Sequence, residues 1–150
     1  MNNNRRRIIL LLLVLCIAAC AATVVIRESG GGKENTVTEG TEPTPMGEGK
    51  NLFLLSVVDG NQQETLLEIH TDENLLGSAL QKLDLIGGDD GPYGLYITSV
   101  NGITARYEED GSWWCLYIRE NGSDDYVMAT TGVDAAELTE GRSYRLKVEK

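Results

Sequence analysis

From residue 51 onward, apolar and polar positions alternate in short blocks that predict an ordered series of elements. The run NLFLLSVV ends at Asp59-Gly60-Asn61, a turn signal, and ETLLEIH follows with Thr65, Leu67 and Ile69 alternating against Glu64, Glu68 and His70, so a β-hairpin is expected. Leu75, Leu76, Ala79, Leu80 and Leu83 then recur at three- and four-residue spacing, which predicts a helix capped by Thr71 or Asp72 and closed by Gly87-Gly88. Gly77 inside it costs up to about 1 kcal/mol against Ala, so the helix needs a sheet to pack on. GGDDGPYG reads as a loop, LYITSVNG as a strand ended by Asn101-Gly102, and WWCLYIRENG and RSYRLKVE as later strands. Two strands, one helix and several further strands give an α+β class: a small β-grasp-like domain with a mixed or antiparallel sheet and one helix on one face.

The strand GSWWCLYIRENG divides into two faces. Trp114, Leu116 and Ile118 are uniformly apolar and are expected to meet the helix. Trp113, Cys115, Tyr117 and Arg119 lie opposite, with no second helix expected to cover them. An uncovered aromatic pair either stiffens the sheet across strands or contacts a partner.

The first fifty residues have a different character. Arg5, Arg6 and Arg7 precede an uncharged apolar run from Ile8 to Ile26, long enough at about 1.5 Å per residue to cross about 30 Å of hydrocarbon. Three readings follow: a single-pass anchor with the arginines inside, a lipoprotein in which Ile17-Ala18-Ala19-Cys20 serves as a lipobox and Cys20 carries lipid, or an ordinary signal peptide cut after small residues. The first two lead, and both put the chain on the extracytoplasmic face of a bacterial membrane. Residues 27–50, rich in Gly, Glu, Thr and Pro, read as a flexible tether. The expected organisation is therefore a leader over 1–26, a linker over 27–50 and a domain over 51–150.

Charge narrows the function classes. Residues 51–150 carry 7 Lys and Arg against 18 Asp and Glu, a net 7 − 18 = −11, which repels phosphate backbones and makes nucleic acid an unexpected partner. Asp89-Asp90, Glu108-Glu109-Asp110 and Asp124-Asp125 sit beside glycines and read as solvated turns. None has the spacing of a dedicated calcium loop, and no metal is expected. Cys115 is the one cysteine of the domain and His70 the one histidine of the chain. Without a third orienting group the pair makes a poor nucleophile and base, so no catalytic residues are assigned and no enzyme is expected.

Taken in order, LLGSALQKLDLI, YITSVNG, GSWWCLYIRENG, TTGVDAAEL and TEGRSYRLKV resemble a bacterial domain of unknown function similar to the C-terminal β-domain of transcobalamin and intrinsic factor. The family's strand end, aromatic-Trp pair, Gly-Val segment and closing turn correspond to Ser99-Val100-Asn101-Gly102, Trp113-Trp114, Gly132-Val133 and Glu140-Gly141-Arg142. Arg142 stands where an acidic residue is more usual. The resemblance implies a ligand-binding fold of β-grasp type and a corrinoid, cobalamin-like, as a possible ligand. In the transcobalamin type the ligand lies between this domain and a helical barrel that the present sequence does not show. The expected ligand surface is Trp113, Trp114, Tyr117, Tyr93, Thr98, Ser99 and Asn101, on a tethered module that presents its ligand to a transporter or surface protein. The alternative is an adhesion or assembly domain that contacts protein or cell wall by strand addition.

Overall fold

The structure is a computed structural model and describes residues 42–150. The expected leader over 1–26, its Cys20 and most of the expected linker lie outside the described residues. Among the described residues no helix is long and apolar enough to cross a membrane.

The first expected hairpin is present. β2 (Asn51–Val58) and β3 (Glu64–Thr71) pair antiparallel from Asn51 opposite Thr71 to Val58 opposite Glu64. Asp59 fixes the turn, its carboxylate accepting from the Asn61 and Gln63 amides at 2.8 Å each. The last strand, β9 (Ser143–Glu149), runs parallel to β2, and β7 (Trp113–Arg119) runs antiparallel to β9. A short β1 (Thr44–Gly47) and β8 (Val127–Met128) complete a six-stranded mixed sheet in the order β1-β3-β2-β9-β7-β8. Alternation along β2, β3, β7 and β9 sends Phe53, Leu55, Val57, Leu67, Ile69, Leu116, Tyr144 and Leu146 into one apolar core. The helix α1 (Leu76–Lys82) buries Leu76, Ala79 and Leu80 in that core. The α+β arrangement with one core-forming helix is the one expected.

Three local expectations give way to different structure. A strand is present before residue 51, where β1 pairs parallel with β3 from Thr44 opposite Leu67 to Gly47 opposite His70. Met46 packs on the core there, and Gly47, at φ +78°, lets the chain pass where a Cβ would lie 2.4 Å from the His70 carbonyl oxygen. The helix is not capped by Thr71 or Asp72. Its first amide, Leu76 N–H, donates to the Ala136 carbonyl at 2.8 Å, so a distant backbone segment supplies the cap. Thr71 and Asp72 instead accept from the Glu73 and Lys50 amides.

The expected loop GGDDGPYG is mostly strand. β4 (Ile86–Gly91) and β5 (Gly94–Val100) form a hairpin that β6 (Ile103–Thr104) extends into a second, three-stranded sheet. Gly87 and Gly88 do not close the helix, which ends at Lys82. They form an irregularity where β4 presses on β5, since a Cβ on Gly88 would lie 2.1 Å from the Tyr96 carbonyl oxygen.

Candidate functional site

The aromatic residues that matter converge at the start of β7. Trp113 and Trp114 point to opposite faces of their strand, yet both line one cleft with Tyr96 of β5 and with Tyr107 and Glu108 of a single helical turn, α2 (Tyr107–Asp110). The cleft has a volume of about 400 Å³. Tyr107 leans on Trp113 with ring centroids 6.0 Å apart and planes inclined at 59°, so the two rings form a corner and not a flat platform. Tyr107 is 61% exposed and Tyr96 39%, while Trp113 is half-buried. The turn holding Tyr107 and Glu108 is closed by Gly111 in the left-handed conformation, and by Asp110, which accepts from the Ser112 amide at 2.9 Å and from the Ser112 hydroxyl. Those bonds from Ser112 hold the Asp110 carboxyl below its usual range.

Trp114 is buried, as its face predicts, at 9% exposure. Burying an indole contributes about 4–6 kcal/mol by area. Its Nε1–H, however, is shielded from solvent and has no acceptor among the described residues. A buried donor left unpaired costs about 1–3 kcal/mol, which offsets part of what burial of the ring contributes. The Trp113 indole N–H is different, donating to Cys115 Sγ at 3.1 Å.

Tyr117, expected beside Trp113, belongs to another neighbourhood. Its hydroxyl donates to Glu149 Oε1 at 2.7 Å, and that bond, then burial, pushes its pKa up to about 12. The same bond, followed by one from Lys147, pulls the Glu149 carboxyl down. Beside it, Tyr126 folds back over the outer sheet face beneath two guanidinium groups, with Arg145 3.9 Å and Arg119 5.0 Å from its ring centre. Arg145 is itself bound to the Ser56 hydroxyl and the Glu64 carboxylate at 3.0 Å each. This network covers the outer face with paired charges.

The remaining expected site residues are spread along the second sheet. Tyr93 stands at the β4–β5 hairpin tip, 99% exposed. Thr98 is buried, its hydroxyl 3.4 Å from the Gly87 carbonyl, and Ser99 pairs with Thr104. Asn101, at φ +49°, makes the turn into β6, its amide donating to the Leu85 carbonyl. The structure therefore joins Trp113 and Trp114 in one cleft and leaves Tyr117 in a separate network. Tyr96 and Tyr107 were missed by sequence reasoning. The signal for Tyr107 was its placement a few residues before the Trp pair, just ahead of an acidic turn ended by Gly111.

His70 and Cys115, the residues weighed as base and nucleophile, lie apart in the fold. In sheet order, β2 and β9 lie between the strand of His70 and that of Cys115, about 14 Å apart at ordinary strand spacing. His70 faces Glu68 at 3.0 Å, and burial holds the Cys115 thiol protonated by raising its pKa. Among the described residues no three His, Cys, Asp or Glu side chains gather as metal ligands. The edges of the six-stranded sheet are short: β1 has four residues, one of them Pro45 with no N–H to donate, and β8 has two.

No known protein family matches the chain as a whole, and no curated protein matches it. Among solved structures, the chain is similar to a protein from Ruminococcus gnavus provisionally described as metal-binding. The two are 29% identical with a TM-score of 0.57, over 67% of this chain and 98% of that one. Haptocorrin, solved in complex with Cbi, is 16% identical with a TM-score of 0.48, over 67% of this chain and 25% of haptocorrin.

Proposed function

We propose that the chain is a membrane-tethered, extracytoplasmic binding module whose ligand docks in the cleft between Tyr96, Tyr107, Trp113 and Trp114. The observation that carries this reading is the gathering of four aromatic side chains from three elements around one cleft, with Tyr96 and Tyr107 open to solvent. Aromatic clefts with one or two fixed polar groups are the usual form of a small-molecule site. The tether rests on Arg5–Arg7 and the apolar run that follows them. A binding role also fits the similarity to the Ruminococcus gnavus protein described as metal-binding, although the donors gathered in this cleft are aromatic and not a ligand set for a metal.

A corrinoid is the ligand implied by the sequence resemblance, and the module would hand it to a transporter or surface protein. A cleft of about 400 Å³ accepts only one edge of so large a molecule, so a second surface on that partner would complete the grip. The test uses the full-length chain in a maltoside detergent. Both tryptophans of the chain line the cleft, so intrinsic emission reports on it directly. Saturable quenching by cobinamide, corrected for absorbance and weakened in Trp113→Ala, supports the corrinoid form. No saturable change at millimolar concentration, by cobinamide or by small aromatic and cationic probes, would end the reading of the cleft as a site.

A further inference from the structure

We infer that the aromatic cleft selects a small, soluble, methylated ammonium ion of the size of choline. This rests on the proposal that the cleft is the ligand site and names the class of ligand it takes. Four aromatic side chains line it, and the face of each ring carries the negative lobe of its quadrupole, which attracts a cation. The corner of Tyr107 and Trp113, inclined at 59°, offers a rounded group two surfaces that are not coplanar. A flat sugar or planar ring would call for coplanar faces.

The charge around the cleft agrees. Glu108 is the one charged residue of its lining, and it enters no ion pair among the described residues, whereas the adjacent Glu109 faces Arg106 at 3.7 Å. No Lys or Arg lines the cleft to compete for that carboxylate. The surrounding segment, at 7 − 18 = −11, adds a long-range attraction for cations. A primary ammonium is strongly hydrated and loses that water on entering apolar walls. Methyl groups remove most of this penalty and make contact with the ring faces, which is why a quaternary nitrogen suits the site better.

The experiment compares choline and tetramethylammonium with 3,3-dimethylbutan-1-ol, the uncharged isostere of choline, by tryptophan emission of the full-length chain in maltoside detergent. Both cations are expected to saturate, with the alcohol weaker by about three- to thirtyfold. Glu108→Gln keeps the exposed side chain's shape, and should weaken choline severalfold while leaving the alcohol unchanged. Equal binding of choline and the alcohol would overturn the charge preference while leaving the cleft as a site. Response to cobinamide with none to either cation would do the same. Silence towards every probe would remove the site itself. A response to glycerophosphocholine, the soluble phosphatidylcholine headgroup, lost in Tyr107→Ala, without binding of free choline would assign the cation to a lipid headgroup and overturn the soluble form.

Discussion

Gly77 and Asp134 meet so closely that a Cβ at position 77 would lie 2.9 Å from Asp134 Oδ1 and 3.1 Å from the Val133 carbonyl oxygen. The helix that carries Gly77 thus packs directly on the 3₁₀ turn Val133–Ala135, whose neighbour Ala136 caps the helix's first amide. Alanine here would gain up to about 1 kcal/mol in helix propensity. Against that gain stands a clash with backbone as well as a carboxylate, at about 1–3 kcal/mol. Gly77→Ala is expected to lower the melting temperature, and a rise would show that the turn can move aside at little cost.

Asp134 also ties the second sheet to this 3₁₀ turn. Its Oδ2 accepts from the Leu95 amide at 2.6 Å, just past the tip of the β4–β5 hairpin. A carboxylate accepting from a backbone amide contributes about 1.5–3 kcal/mol, with the exposed setting favouring the lower end. Asp134→Ala should therefore speed hydrogen exchange at Leu95 and along the hairpin far more than in β2 and β9. Uniform acceleration would mean that the hairpin and the main sheet open together.

The periodic elements were legible because their faces are set by local alternation: Leu67 and Ile69 on β3, Trp114 and Leu116 on β7, and Leu76, Ala79 and Leu80 on the helix all bury as their spacing predicts. What could not be read depends on contacts distant in sequence. β1 has one sizeable apolar residue, Met46, and exists because β3 offers it an edge. GGDDG looks like a turn by composition, and becomes a strand because missing Cβ atoms let it approach Tyr96 and Ser99. The cleft gathers Tyr96, Tyr107 and the Trp pair from three elements, so no single stretch of sequence displays it. Gly77 was the one local hint of such packing, a helix-weakening residue kept in the middle of an apolar face.

The Tyr117–Glu149 bond makes a pH prediction with two signs. Tyr117 has a folded pKa of about 12, raised from 10.0, so its contribution to stability is complete below pH 10 and is lost as pH rises towards 12. Glu149 is shifted the other way from 4.5, so its contribution is present above that pH and fades as pH falls through the lowered value. Absorbance at 295 nm should show a tyrosine ionisation near pH 12. Tyr117→Phe should abolish that late step and cost about 1 kcal/mol or less, as befits a half-exposed pair. A titration near pH 12 that Tyr117→Phe leaves unchanged would show that the bond does not persist in solution.

The two tryptophans, adjacent in sequence, should separate in their effect on stability. Trp113→Ala removes a half-buried ring at the mouth of the cleft and should cost less than Trp114→Ala, which hollows the core at about 3–5 kcal/mol. Trp114→Phe is the sharper test. It gives up part of the ring's buried area, yet it also removes the shielded N–H that has no partner, and relief of about 1–3 kcal/mol offsets most of the lost packing. Denaturant unfolding of Trp114→Phe, followed by the remaining Trp113 emission, should place it within about 1 kcal/mol of the parent. A loss approaching that of Trp114→Ala would mean that the indole N–H is satisfied in solution.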